Sequence, residues 1–575
     1  MTHLIAIEGV TFKYPDHSAS DRDTLHDINL TMETGEYIAI LGANGSGKST
    51  LARMVNALIL PDSGSVRVNG FDTRNREHLA EIRKTVGMVF QFPEEQIFSS
   101  TIEEDVAFGL ENFGWSYESM HRQVQETLEK LGLWEIRQRP SYLLSSGQTQ
   151  RLALAGVLAL KPKCVIFDEA TSMLDPLGRE TVLQQMTRLH EGGNTVIHIT
   201  HSMEEAAQSS RVIVLLEGSV VYDGSPADLF SGKYDLAHWR LEYPLELQLI
   251  QSLKEAGVHL PDGAVTLDQI ADYLTQNRQP AQYPSGPDSF SPAQDLEIEV
   301  HQLGHIYLEG TPYQTRALRS TDVSVEKGTC HGLIGVTGSG KSTLLQHLNG
   351  LLRPQIGTVR VGPYFTADKK FSLQQLVQYA GLVMQNPEVQ FFQEFVGDEI
   401  AYGPRTVKIN EPIAQRVRWA MDQVNLTFDH FKDRRIHSLS GGEKRKVALA
   451  SILALQPSIF LLDEPTAGLD PSTHQEILAV FKRMVADGTT IVLSSHNMED
   501  MAVLTKRITV MVDGQSTAEG PSQNILGDAA GMRDLKMLAP ISARLVEALR
   551  SRGVQMDASI ASLAQLAEAV GGRHE

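Results

Sequence analysis

Two stretches of the sequence could bind phosphate: GANGSGKST at 42–50 and GVTGSGKST at 335–343 both fit G-x-x-x-x-G-K-[ST]. Glycines at this spacing let backbone N–H groups approach phosphate oxygens, and a helix starting there points its positive end at them. The first cradle is Gly42, Asn44, Gly45, Gly47, Lys48, Ser49 and Thr50, and the second is Gly335, Gly338, Gly340, Lys341, Ser342 and Thr343. Lys48 and Lys341 are expected on the β and γ phosphates, with Ser49 and Ser342 on Mg²⁺. The runs CVIFDE and IFLLDE each end an apolar segment with an acidic pair. There Asp168 and Asp463 suit Mg²⁺ coordination, and Glu169 and Glu464 suit polarising an attacking water. Phosphoryl transfer depends chiefly on positioning and charge stabilisation, so a nucleotide cradle, a metal ligand and a carboxylate base are a sufficient kit.

The elements that must position this kit are legible around it. YIAIL and HGLIGV before the cradles read as strands, and LARMVNAL and LLQHLNGL after them have helical periodicity. CVIFDE and IFLLDE read as strands of a parallel sheet presenting carboxylates at its carboxyl edge. FDEATSMLDP returns as LDEPTAGLDP and THSMEEAA as SHNMEDMA, at a nearly constant offset from the first copy. So long a period, with several elements in one order, indicates duplicated α/β domains rather than a solenoid. We expect a first domain over 1–235, a helical appendage over 236–275, a linker over 276–294, a second domain over 295–525 and a second appendage over 526–575. The linker, QNRQPAQYPSGPDSFSPAQ, carries four prolines and favours an extended tether. The appendages, YPLELQLIQSLKEAGVHLP and LAPISARLVEALRSRGVQM, have apolar residues at helical spacing, which suits either an ordinary surface helix or a dimerising or stabilising one.

Composition narrows the classes. A chain of 575 residues with 42% hydrophobic and 21% charged residues has material for several cores. Its net charge of −19 is a poor match to a polyphosphate backbone, so nucleic acid is not an expected partner. With only Cys164 and Cys330, neither a disulfide framework nor a thiolate metal site is encoded. No run of about 18 apolar residues suggests a membrane span, so service to a membrane means docking on other chains.

LSSGQTQR at 144–151 and LSGGEKRK at 439–446 resemble the signature of the ATP-binding cassette (ABC) family. The resemblance covers nearly all of 1–230 and 296–520 and implies two tandem P-loop NTPase domains, each with a helical subdomain. It makes Gln91 and Gln385 the Q-loop glutamines on ATP and Mg²⁺, Asp175 and Asp470 the D-loop aspartates, and His201 and His496 the switch histidines. Tyr14 and Tyr307 resemble the aromatic that stacks on adenine. It also implies an intramolecular head-to-tail pseudo-dimer. One ATP site then joins Lys48, Glu169 and His201 to Ser440, Gly441 and Gly442, and the other joins Lys341, Glu464 and His496 to Ser145 and Gly147. Ser146 stands where the family usually has a glycine, and its Cβ is expected to weaken the second site by crowding the γ-phosphate.

QFPEEQIFSSTIEEDVAFGLEN and QNPEVQFFQEFVGDEIAYGP look like the Q-loop and following helix of energy-coupling factor (ECF) transporter ATPases, and the chain resembles both paralogous ATPases fused. This implies a peripheral ATPase on the cytoplasmic face of the cell membrane. Its partners are a transmembrane coupling protein and exchangeable small substrate-binding membrane proteins for vitamins or transition-metal ions. Glu103, Glu104, Asp105, Asp398 and Glu399 read either as solvated helix N-termini or, as the resemblance implies, as a groove receiving arginines of the coupling helices. The alternatives are another ABC importer class and a soluble twin-cassette protein acting on ribosomes or nucleic acid. The short proline-rich tether and acidic balance argue against the latter.

Overall fold

The computed structural model describes residues 3–14, 24–172, 174, 176–258, 260, 266–277, 295–366, 368 and 372–571. Asp175 and the greater part of the proline-rich linker, 278–294, lie outside them. The chain divides into two units, Met1–Glu242 with Gly468–Ser472, and Tyr243–Ala467 with Thr473–Glu575.

In the first unit, β1 (Ile5–Phe12), β2 (Leu25–Met32), β4 (Ser63–Val68) and β5 (Phe71–Asp72) form an antiparallel sheet in the order β2-β1-β4-β5. The second sheet contains β3 (Tyr37–Leu41), β6 (Val86–Val89), β7 (Cys164–Asp168), β8 (Thr195–Ile199), β9 (Arg211–Leu216) and β10 (Ser219–Gly224), in the order β10-β9-β3-β8-β7-β6. All of its pairings are parallel except β10 with β9. Every residue of β3, β7 and β8 is buried, as a parallel sheet covered on both faces requires. The two faces feed different cores. Ile38, Ile40, Ile166 and Ile197 join the antiparallel sheet and the cradle helix Lys48–Val55, whereas Tyr37, Val165, Phe167 and Val196 join the helical subdomain of Ile102–Asn112, Tyr117–Lys130 and Ser146–Leu158. Alternation along each strand therefore fixes the cradle on one side of the sheet and the subdomain on the other.

The second unit repeats the plan with its sheets hydrogen-bonded into one. Its strands are β11 (Leu296–Tyr307), β12 (Thr315–Glu326), β13 (Cys330–Ile334), β14 (Ile356–Val361), β15 (Tyr364–Phe365), β16 (Ala380–Val383), β17 (Ile459–Asp463), β18 (Thr490–Ser494), β19 (Arg507–Val512) and β20 (Gln515–Pro521). They run in the order β15-β14-β11-β12-β20-β19-β13-β18-β17-β16, and a single bridge, Ser320 to Gln515, joins the antiparallel part to the rest. The fold is α/β throughout, two tandem P-loop NTPase domains each with a helical subdomain.

The helices of the first appendage do not stay with their own half. Helices Leu245–Glu255 and Leu267–Asn277 group with the second unit, where Leu249, Leu253 and Leu274 share one core with Leu545, Leu549 and Leu566 from the helices Ile541–Ser551 and Leu563–Gly571. Arg552 reaches back to Asp268 at 2.9 Å and Asp272 at 2.7 Å, an exposed pair that water screens, so the apolar core holds the module together. Leu549→Ala, fully buried there, is expected to destabilise this module by about 2–5 kcal/mol. Calorimetry should show an added early transition with the cassette transitions unchanged.

Candidate nucleotide site

Each cradle loop is forced into shape by two glycines. Gly42 and Gly335 both have φ of 150°, and a Cβ there would meet the backbone oxygen of Leu215 at 2.3 Å or Met511 at 2.2 Å. The loop therefore lies against β9 or β19 as only glycine permits. Gly47 and Gly340, left-handed at φ 100° and 101°, turn the chain into the helices Lys48–Val55 and Lys341–Asn349. Lys48 Nζ donates to the carbonyls of Gly42 at 2.8 Å and Ala43 at 3.0 Å, and Lys341 Nζ to Gly335 at 2.5 Å and Val336 at 3.3 Å. Burial lowers the Lys48 pKa, against the opposing field of Glu169 and Asp168. Asn44 Nδ2, Ser46 Oγ and Ser339 Oγ are buried without a hydrogen-bond partner, polar groups that a bound nucleotide would satisfy. Gly45 and Gly338 are the exposed turns of the loops.

The carboxylates meet the cradles as the strand ends predict. Ser49 Oγ donates to Asp168 Oδ1 at 2.8 Å, and Ser342 hydrogen-bonds Asp463. Burial pushes Asp168 up to about 6. One hydroxyl and one carboxylate form an all-oxygen set suited to a hard cation that takes its other ligands from phosphate and water. Glu169 and Glu464 follow at φ 51° and 48°, left-handed values costly for a residue with a side chain. Their N–H groups donate to the carbonyls of Ile199 and Ser494, both at 3.0 Å, which ties each turn to the strand before the switch histidine. Sequence reasoning did not reach this strain, because a single glutamate carries no mark of its backbone.

The two glutamates differ. His201 Nε2 lies 2.7 Å from Glu169 Oε1, and Gln91 Nε2 donates to Glu169 Oε2 at 2.7 Å. Burial raises the Glu169 pKa, but the charge and hydrogen bond of His201 outweigh it and hold the carboxyl below its usual range. In the second unit His496 Nε2 is 3.2 Å from Glu464 Oε1 while its backbone N donates to Oε2 at 3.1 Å. Burial pushes Glu464 up to about 7. Gln385 lies two residues beyond β16, half-buried.

Tyr14 and Tyr307 stand over the cradle helices, their hydroxyls 3.3 Å and 3.4 Å from Thr50 Oγ1 and Thr343 Oγ1. Ser145 and Ser440 cap the helices Ser146–Leu158 and Gly441–Leu453 through reciprocal bonds with Gln148 and Glu443. A Cβ added at Gly147 or at Gly441, the counterpart of Ser146, would meet no atom within 4 Å, and Gly442 is buried within its helix. Asp470 is buried and belongs to the segment Gly468–Ser472 that groups with the first unit.

The five acids after the Q-loops divide by function. Asp105 accepts the backbone N–H groups of Phe98 and Ser99 at 2.9 and 3.0 Å, and Glu399, only 4% exposed, accepts those of Phe392 and Gln393, both at 2.8 Å. These two hold the loops that present Phe98 and Phe392, which are 77% and 72% exposed. Glu104 closes the capping box of its helix with Thr101, Glu103 bonds Gln138, and Asp398 pairs with Arg405 at 3.0 Å on the surface.

Two cradles at the carboxyl edges of two parallel sheets, each with a carboxylate on the cradle serine and a subdomain helix headed by an LSSGQ or LSGGE turn, place the molecule among the ATP-binding cassette hydrolases. The chain belongs to the ABC transporter family, whose model matches residues 25–172 and 318–467. It is 32% identical over 550 residues to a protein named for ABC transporter ATP binding in Caldanaerobacter subterraneus subsp. tengcongensis, a match covering 93% of this chain and 94% of that one. A similarly named protein of Methanosarcina mazei is 32% identical over 570 residues, covering 96% and 94%. The energy-coupling factor transporter ATP-binding protein EcfA1 of the first organism is 42% identical over 275 residues, 48% of this chain and 99% of its own length. The chain is an ATPase, and its ATP hydrolysis is coupled to transport.

Proposed function

We propose that this chain is the energy-coupling subunit of an energy-coupling-factor-type membrane importer for a vitamin or transition-metal ion. The observation that carries the reading is the match of one half of the chain to nearly the whole of EcfA1. Two composite sites do the work. Lys48, Glu169 and His201 act with Ser440, Gly441 and Gly442, and Lys341, Glu464 and His496 with Ser145 and Gly147. Asp175 and Asp470 act as the D-loop aspartates of the ATP sites, Tyr14 and Tyr307 stack on adenine, and Gln91 and Gln385 sense the γ-phosphate. Mg²⁺ is held by Ser49 with Asp168 and by Ser342 with Asp463, with Gln91 and Gln385 completing each set. Bound there, it neutralises charge on the phosphates.

Among the described residues no helix is long and apolar enough to cross a membrane. In this reading the chain works at the cytoplasmic membrane face by docking on a transmembrane coupling protein, which carries small substrate-binding membrane proteins. Glu103, Glu104 and Asp398 supply charge to arginines of the coupling helices, while Asp105 and Glu399 shape the loops beside them. Glu104→Arg with Asp398→Arg, which leaves both loop-holding acids intact, is expected to release the protein from membranes while soluble ATPase activity stays within about twofold of wild type. Undiminished sedimentation with membranes would refute this surface.

A further inference from the structure

Behind each switch histidine lies a buried carboxylate that the nucleotide chemistry does not use. Glu205 is 1% exposed. Its Oε2 accepts from Thr200 Oγ1 at 2.5 Å and Thr171 Oγ1 at 3.0 Å, and lies 3.2 Å from Nε2 of the fully buried His198. Its Oε1 accepts from Arg179 Nε at 2.5 Å. These partners come from three places that matter. Thr171 is two residues after Glu169, Thr200 directly precedes His201, and Arg179 sits in the first turn of the helix Pro176–Glu191 that begins directly after Asp175. The other flank of the switch histidine is held too: Ser202 N donates to Thr200 Oγ1 at 3.0 Å, and Arg179 Nη2 donates to Ser202 Oγ at 2.6 Å. Burial raises the Glu205 pKa, but the hydrogen bond and charge of His198, with Arg179 and Thr200, hold it far below its usual range.

The second cassette keeps two of these links, to the glutamate's turn and to the following helix, with different residues. Asp500, 4% exposed, accepts from Thr466 Oγ1 at 3.1 Å and lies 2.9 Å from His474 Nε2. Thr466 is two residues after Glu464, and His474 replaces Arg179 in the helix Pro471–Ala486. Leu493 stands where the first cassette has His198, so the acid, the threonine and a basic partner are the parts both copies keep.

We propose that Glu205 and Asp500 are positioning residues for ATP hydrolysis: Glu205 binds the turn of the water-polarising glutamate, the turn of the switch histidine and the helix after the D-loop into one body, and Asp500 binds the glutamate's turn to that helix. This rests on the reading of Glu169 and His201 as hydrolytic residues but concerns residues that touch neither nucleotide nor metal. A buried acid accepting from both turns fixes their separation, and a displacement of about 1 Å between reacting groups costs up to about 10²-fold in rate.

The test uses the full chain with site two silenced by Glu464→Gln. Glu205→Gln keeps the shape but puts an amide N–H against hydroxyl donors and breaks the arginine pair. ATP kcat is expected to fall about tenfold or more, with KM for ATP within about twofold. The double change Glu205→Asp with Arg179→His installs the second cassette's own pair and is expected to recover most of the rate. Unchanged kcat in Glu205→Gln would overturn the proposal. So would a loss shared equally by kcat, KM and melting temperature and not recovered by the double change. Should Glu205→Gln fail to fold, Arg179→Ala carries the test, because that side chain is 40% exposed. A lower kcat at constant KM supports the proposal, and an unchanged kcat overturns it. If instead Glu169→Gln in the same background leaves hydrolysis intact, the underlying assignment of the site has failed rather than the hub.

Discussion

Glutamine at both 169 and 464 yields a protein that still binds ATP but turns it over about 10²–10⁴-fold more slowly, and that collects in an ATP-bound closed state. The substitution preserves volume and shape, keeps one accepting oxygen and removes the base. Glu169 sits between His201 and Gln91, each at 2.7 Å, so an amide there keeps its place. The single variants are unequal. Glu169→Gln removes the site whose signature half is the regular LSGGE and whose base is held ionised by His201. Glu464→Gln removes the site that, in the proposed pairing, takes its signature from LSSGQ and whose base burial pushes up to about 7. Steady-state ATPase should fall further in the first. Equal loss would contradict the asymmetry, and an open protein in saturating ATP would contradict the trapped state of the double variant.

The second large effect comes from one methyl group. Gly42→Ala or Gly335→Ala would put Cβ at 2.3 or 2.2 Å from a backbone carbonyl oxygen of β9 or β19, and neither strand can retreat because each is largely buried and hydrogen-bonded to a strand on both sides. The cradle must move instead, losing the lysine's bonds to its first carbonyl and misplacing its N–H groups. ATP affinity at that site is expected to fall about 10²-fold or more. Gly45→Ala is the control: its Cβ meets nothing within 4 Å, so its cost is limited to a left-handed φ, about 1–2 kcal/mol. Titration with a fluorescent ATP analogue separates the two. Equal losses at Gly42 and Gly45 would show that conformational freedom, not the approach of the strand, sets the requirement.

The cradles and the carboxylate strands were legible in the sequence because each is local: a motif or a short apolar run announces itself within a few residues. Duplication then indicated two α/β domains. What stayed hidden depends on partners distant in the chain. The helical spacing of 245–255 and 541–551 announced amphipathic helices, yet an apolar face does not say what covers it, and these two cover each other across the linker. Asp105 and Glu399 resembled surface charge beside helix N-termini, and only the fold shows their carboxylates turned onto backbone N–H groups. Glu205 gave no sign of its hub, since Arg179 and Thr171 meet it only after β7 and β8 pair. The left-handed glutamates were equally silent, their conformation being imposed by the neighbouring strand through a backbone bond.

The central claim is that this ATPase serves a membrane importer of the energy-coupling factor type, and its most direct test is the company the chain keeps. The tagged protein would be recovered from native membranes in mild detergent and its copurifying proteins identified by mass spectrometry. The account predicts one polytopic membrane protein together with one or several small hydrophobic substrate-binding proteins, whose identities name the cargo. Recovery with ribosomal proteins or nucleic acid and no membrane partner would contradict it.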